Sequence, residues 1–352
     1  MTIQRIIDAH VHQWDLRNTP RETSPFVKLL GWNRPLMYWF AKKVFPKDAV
    51  DFFGGPDEVL SNYLPLNYTK DSENMKIDGF IHIEASWLDK DPMGSVAETQ
   101  WLESLNTPLL KAIVGFADLR LGDKVEEILH AHLATSSRFR GIRYALTHHP
   151  KKSILNACED PDLMNDATWR KGYAKLAPLG LSFDATVYHH QLDNLTSLAQ
   201  DFPDVQVILC HAGTPTGYGG PFGGEGQTID ERNEIANTWR KSMSRLAELP
   251  NINVKISGLA MPILGWDYHR GNPDANQVAE DFRPIVDFII DTFGADRCMF
   301  ASNFPVDRIS MPWATLFDSF NLTVENRSEA ERQALFYGTA ARVYSIEDTP
   351  GL

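Results

Sequence analysis

Short apolar runs recur from one end of the chain to the other: Arg5–His10, Ile77–Ala85, Lys111–Ala117, Gly141–Ala145, Leu181–Tyr188, Val205–Cys210, Ile252–Ser257 and Cys298–Ser302. Each has the length of a strand, and they begin about 42 residues apart on average, which leaves room for a helix in most gaps. Helical spacing fills those gaps. Ile235, Trp239, Met243 and Leu246 fall on one face, and Val125, Ile128, Leu129 and Leu133 on another. Ser328 with Glu331 forms a capping box opening a last helix toward Tyr344. Eight strands alternating with helices predict an α/β fold, a (β/α)8 TIM barrel, with residues 1–352 as a single domain. A doubly wound sheet usually has fewer strands and often opens on a glycine-rich nucleotide turn, which does not follow Ile7.

Two segments break the rhythm. From Trp14 to Tyr68 about a fifth of the residues are aromatic, against 11% for the whole chain, and six prolines punctuate the stretch. An insertion after strand one, taken as residues 16–75, lies on the side of a barrel where the βα loops form the active-site mouth. It is expected to cap that mouth with aromatic surface, or else to pack as a peripheral subdomain. The second break, Gly217–Gly226 (GYGGPFGGEG), lacks the GK[ST] of a phosphate loop and reads as a mobile loop near the mouth.

Composition narrows the partners. Hydrophobic residues make up 43% and charged residues 23% of the 352, enough for a large core. The net charge is −12, with no concentrated basic run, so nucleic acid is an unexpected partner. No apolar run is long enough to span a bilayer, and the start MTIQRIIDAH has neither a basic n-region nor a cleavage site, so the expectation is a cytoplasmic location without membrane association. Cys158, Cys210 and Cys298 are too few and too scattered for a disulfide framework or zinc ribbon and are read as reduced and buried.

The chemistry-bearing residues sit at the ends of the apolar runs. His10 and His12 in Asp8-Ala9-His10-Val11-His12 are two apart on a strand, share a face, and would project together into the mouth. His211 ends a second run and His190 a third, so the four imidazoles are expected to converge. Glu84 stands at the mouth with His82 one layer deeper. Arg143 points inward beside Tyr144 and needs an anion, with a substrate carboxylate favoured over a protein one. Lys255 and Ser257 also point inward, Lys255 either toward substrate or paired with Asp184 or Asp8. Asn303 faces the mouth and Asp307 lies in the following loop.

This set, in the order DAHVHQWD, GFADL, GIRY, FDATVYHHQL, FPDVQVILCHAG, NVKISGL and RCMFASNFPVD, resembles the amidohydrolase superfamily, and more narrowly the amidohydrolase-2 branch containing sugar lactonases and 2-pyrone-4,6-dicarboxylate lactonase. The resemblance covers most of the chain outside residues 16–75. It implies that His10, His12, His190 and His211 occupy metal-ligand positions for one divalent ion, Zn²⁺ or Mn²⁺, or polarise a carbonyl in a metal-independent enzyme. The family's usual strand-eight aspartate is replaced by Asn303, whose amide has no basic oxygen. No lysine at strand four is available to bridge two metals.

The resulting expectation is a hydrolase that opens a lactone, either a sugar-acid lactone or a carboxylated muconolactone or pyrone, by water attack on the carbonyl. His10 and His12 stabilise the oxyanion and Arg143 anchors a substrate carboxylate, with Tyr144, His190, Asn303 and Lys255 as further substrate contacts. Glu84 is the first candidate base, followed by Asp307 and His211. The alternatives are a non-oxidative decarboxylase of aromatic or unsaturated acids and a non-catalytic barrel binding a small acid. The expected partner is a small anionic molecule, and a homo-oligomer is compatible with these features.

Overall fold

Eight parallel strands pair in chain order in a computed structural model that describes residues 5–73 and 75–347. They are β1 (Ile7–Val11), β2 (Gly79–Ile83), β3 (Leu110–Gly115), β4 (Phe139–Ala145), β5 (Ser182–Thr186), β6 (Val207–Leu209), β7 (Ile252–Ile256) and β8 (Cys298–Phe300). Every expected strand is present. The ladder closes beyond the end of β8, where Asn303 N–H donates to the His10 carbonyl (2.9 Å) and His12 N–H to the Phe304 carbonyl (2.8 Å). Closure therefore brings the end of β1 directly against Asn303.

Strands buried on both faces read as continuous apolar runs, which is why the pattern was so regular. Ile7, Ala9, Ile81, Ile83, Ala112, Val114, Ile208, Met299 and Ala301 form one buried cluster with Tyr337 and Tyr344 of the C-terminal helices. Outside the strands, helix Ile229–Ala247 buries Ile235, Trp239, Met243 and Leu246. Helix Val125–Thr135 buries Val125, Ile128 and Leu129. Ser328 caps helix Glu329–Gln333 reciprocally with Glu331.

Lys255 does not reach toward a substrate. Its ammonium is 2.6 Å from Asp184 Oδ2 with both side chains fully buried, and the Tyr344 hydroxyl reaches the same carboxylate. A buried cation in a low-dielectric interior takes the nearest carboxylate. Asp8 is not that partner. Its carboxylate accepts from Tyr68 Oη (3.2 Å), Trp313 Nε1 (3.1 Å) and the Ser302 N–H (2.8 Å).

The insertion holds four short helices, α1 (Ser24–Leu30), α2 (Arg34–Val44), α3 (Lys47–Phe52) and α4 (Pro65–Asp71). Its ends are tied to the barrel: Trp14 and Tyr63 exchange backbone hydrogen bonds, and Tyr68 is buried against Phe80 and Trp313. Leu88 N–H donates to Pro20, Arg308 pairs with Glu58 and Asp71, and α3 packs on residues 262–264. These contacts are with the loops after β2, β7 and β8, on the C-terminal face.

The glycine-rich loop, expected to be mobile, is tied to its neighbours at several points. Gly217 and Gly219 N–H groups donate to the carbonyls of Ile263 and Leu264, and Lys151 and Ser153 hold the carbonyls of Gly224 and Gly223. Its glycines serve close backbone contact: a Cβ on Gly226, at φ +64°, would lie 2.1 Å from the Gly217 carbonyl oxygen. All three cysteines are free and buried. Among the described residues no helix is long and apolar enough to cross a membrane.

Candidate active site at the barrel mouth

The register between β1 and β2 shifts between Asp8 and Val11, with His10 inside that irregularity and His12 just past it, and their Nε2 atoms meet 3.2 Å apart. His12 Nδ1 faces the carbonyls of Ile83 (2.9 Å) and Glu84 (3.2 Å). It therefore carries the proton there, and the Nε2 lone pair is aimed at His10. The His211 ring lies 4.6 Å from that of His10, with Nδ1 3.0 Å from Ser257 Oγ. His10 Nδ1 is buried without a partner.

These three rings are held neutral. Burial, reinforced by the Lys255 cation and the neighbouring rings, keeps His10 well below the usual imidazole range, and burial with the Arg143 charge does the same for His12. His211 is pushed down to about 3 by burial, with Arg143 and Lys255 adding to it. A neutral imidazole keeps one lone pair and one N–H, so each of these rings has one nitrogen able to accept or ligate. The backbone at this rim is strained: His211, Ala212, Thr214, Asn303 and Ser86 all have positive φ without being glycine.

Glu84 and Arg143 meet each other. Arg143 Nε lies 2.5 Å from Glu84 Oε1, Nη2 donates to the Glu84 carbonyl (2.9 Å), and Ser86 N–H donates to Oε2 (2.8 Å). The anion that Arg143 needs is a protein carboxylate, so Glu84 is not an uncommitted base and Arg143 is not an uncommitted anchor. The guanidinium nonetheless raises the local positive potential felt by His12 and His211.

Asn303, whose N–H donates to the His10 carbonyl, is tied to Asp307 in the turn that follows. Asn303 Nδ2 donates to Asp307 Oδ1 (2.9 Å), while Asp307 Oδ2 is buried without a partner. Burial pushes this carboxyl up to about 8, against smaller opposing effects from the Asn303 amide and the Ala260 backbone.

Two expected members are bonded away from the imidazole cluster. His190 is exposed, its Nε2 bonds the His148 carbonyl (2.9 Å), and its ring neighbours are His149, Tyr188 and His189, so it does not join the His10–His12–His211 cluster. The Tyr144 hydroxyl is bonded to Asp118 (3.0 Å), although its ring lines a cavity of about 600 Å³ with Glu84, Trp87, Phe116, Arg120 and Cys158. That volume suits a small organic molecule. His82 Nε2 lies 3.7 Å from Glu98, beyond hydrogen-bond reach, and Glu98 binds Arg21. Sequence reasoning passed over Glu98, which lies on a helix, and Gln13, whose buried amide has no partner at either end. Only the adjacency of Gln13 to the HxH pair pointed to it.

The His10 and His12 nitrogens are spaced as two ligands of a single ion with bonds of about 2.0–2.1 Å are spaced. With His12 Nδ1 anchored on a carbonyl, the pair has the spacing of two ligands of a divalent ion, short of a full coordination set. Among the described residues no group of three or more His, Cys, Asp or Glu side chains is arranged to hold a metal.

The chain is 34% identical over 345 residues to the uncharacterized protein y4mH of Sinorhizobium fredii, covering 97% of this chain and 98% of that protein. It is 28% identical over 243 residues to an L-fucono-1,5-lactonase of Burkholderia multivorans, covering 68% and 73%. Its fold matches an amidohydrolase of Burkholderia multivorans solved with HEPES at TM-score 0.72 and 23% identity, covering 98% of this chain and 100% of the other. The zinc-bound form of that amidohydrolase matches at TM-score 0.70 and 22% identity, with the same coverage. The family model described as Amidohydrolase matches residues 7–346, and the chain belongs to the amidohydrolase family.

Proposed function

We propose that the protein is a lactone hydrolase acting on a sugar-acid lactone or a similar small, oxygen-rich ring ester. The observation that carries this reading is geometric: the His10 and His12 Nε2 atoms meet at one strand end, His12 and Arg143 share the Glu84 carbonyl, and Asn303, bonded to the His10 carbonyl, holds the buried Asp307 carboxyl. Similarity to an L-fucono-1,5-lactonase supports a lactone as the substrate.

In this mechanism the Asp307 carboxylate takes a proton from water as the water oxygen adds to the lactone carbonyl. Negative charge grows on the carbonyl oxygen and is stabilised by Arg143, which Glu84 holds in place. The ring C–O bond then breaks, and Asp307 returns the proton to the departing ring oxygen. Asn303 orients Asp307 through its amide, a part that does not require a basic oxygen. His10 and His12 are the residues that would hold a divalent ion, which when bound supplies Lewis-acid polarisation of the carbonyl. The 16–75 insertion caps the mouth within a single-domain barrel.

The test is proton release from a panel of aldono-1,5- and 1,4-lactones, run beside carbon dioxide release from dihydroxybenzoic acids. Ring opening with loss of activity in Asp307→Asn is expected. Carbon dioxide release without lactone opening would sink the proposal in favour of a decarboxylase.

A further inference from the structure

Helix α2 is apolar on both sides. Met37 and Ala41 face the protein, while Trp39, Phe40 and Val44 face out. A helix that carries large apolar side chains on its outward as well as its inward side ordinarily has both sides covered. Here Trp32 is 75% exposed, Leu29 70%, Val44 65% and Trp39 52%, all within residues 24–47 of the insertion, where α1 packs beside α2. The other large exposed apolar side chains among the described residues, Leu66, Leu88, Met93 and Ile229, lie outside this segment. Isolated exposed apolar residues are ordinary, but a clustered set marks a binding surface.

The same segment carries Lys28, Arg34, Lys42, Lys43 and Lys47 and no acidic residue, in a chain whose net charge is −12. All five cations are exposed. Lys43 Nζ sits 3.9 Å from the centroid of the Trp39 ring, and Trp39 stacks edge-on with Phe40 at 4.9 Å, so the cations border the aromatic surface. Of the five, Lys47 is neutralised by Asp51.

The covering partner must therefore be apolar and anionic together. A second copy meeting this face symmetrically would set the basic patch against itself. We propose that the outward face of α1 and α2 docks the protein on an anionic lipid surface, with Leu29, Trp32, Trp39, Phe40 and Val44 entering the headgroup boundary and the lysines contacting lipid phosphates. Tryptophan and leucine bordered by lysine are the side chains of interfacial helices. The acidic remainder of the protein does not prevent this, because charges beyond about 10 Å are largely screened at 0.1 M salt. The face belongs to the insertion, so the barrel mouth below it would lie near the bilayer without any segment crossing it.

The test is flotation of the full-length protein with vesicles of phosphatidylcholine alone and with about 30% phosphatidylglycerol, with tryptophan emission recorded in parallel. Binding to the anionic vesicles with a blue shift is expected, falling as salt rises. Each lysine near such a surface contributes about fivefold in affinity, so Lys42→Glu/Lys43→Glu should weaken binding at least about tenfold. Trp39→Ser/Phe40→Ser should weaken it comparably and reduce the blue shift to the share contributed by Trp32, and a cooperative melting transition in both variants shows that they remain folded. Absence of binding to anionic vesicles, or equal binding by the variants, overturns the proposal. So does concentration-dependent self-association, seen by ultracentrifugation and lost in Trp39→Ser/Phe40→Ser, since a second copy would then cover the face.

Discussion

Asn303 donates its side-chain amide to one oxygen of Asp307 at 2.9 Å and leaves the other oxygen buried without a partner. The residue that departs from the expected strand-eight aspartate thus holds an aspartate four positions later.

If Asp307 is the base, its carboxylate is the active form, and burial places its titration near pH 8. Rate should therefore rise with pH through about 8, where the proton leaves, and level off above it. Asp307→Asn should lower kcat by at least about a hundredfold with a smaller effect on KM. A wild-type profile that is flat between about pH 6 and 9 removes the assignment.

The same group makes a stability prediction of opposite sense. Its folded pKa lies above the ordinary value of 3.8, so the native state binds a proton that the unfolded chain has released. Stability from this site is complete at low pH and is lost as pH rises from about 4 to about 8. Asp307→Asn should raise the melting temperature relative to wild type near pH 8 and show less gain near pH 5. A gain that is larger at the lower pH contradicts the burial argument.

His10 and His12 form the metal-fitting pair, whereas His190 spends its Nε2 on a carbonyl. Metal analysis after loading with zinc should give about one equivalent in wild type and in His190→Ala, and under about a tenth in His10→Ala and His12→Ala. Equal loss in His190→Ala would show that the three sites act together.

Glu84 and Arg143 should be energetically coupled. Each single truncation leaves a partly desolvated charge without its partner, so a double-mutant cycle on Glu84→Gln and Arg143→Met should give a coupling of about 1–3 kcal/mol by urea unfolding. Strictly additive effects would mean that the pair is incidental.

Lys255 and Asp184 are both fully buried. Lys255→Met leaves the carboxylate unpaired and should destabilise by about 3–5 kcal/mol, and adding Asp184→Leu should recover most of this. A single-variant cost below about 1 kcal/mol would indicate that water or Tyr344 compensates.

The barrel was legible in the sequence because parallel strands buried on both faces must be apolar throughout, and their spacing by helices repeats from Ile7 to Phe300. The same periodicity put His10, His12, Glu84, Arg143, His211 and Asn303 at strand ends, which in a barrel means one face. Pairing was not legible. Position in a strand says which way Arg143 points but not that Glu84, 59 residues earlier, reaches it before any substrate does. Nor could it say that Lys255 would take Asp184 while Asp8 turned to Tyr68 and Trp313. His190 had the right neighbours in sequence, but its ring turned to the His148 carbonyl as β5 ended. Strand order thus determined which residues reach the mouth. Side-chain partnerships in a low-dielectric interior, where every charge must find the nearest opposite charge, were decided only by tertiary closure.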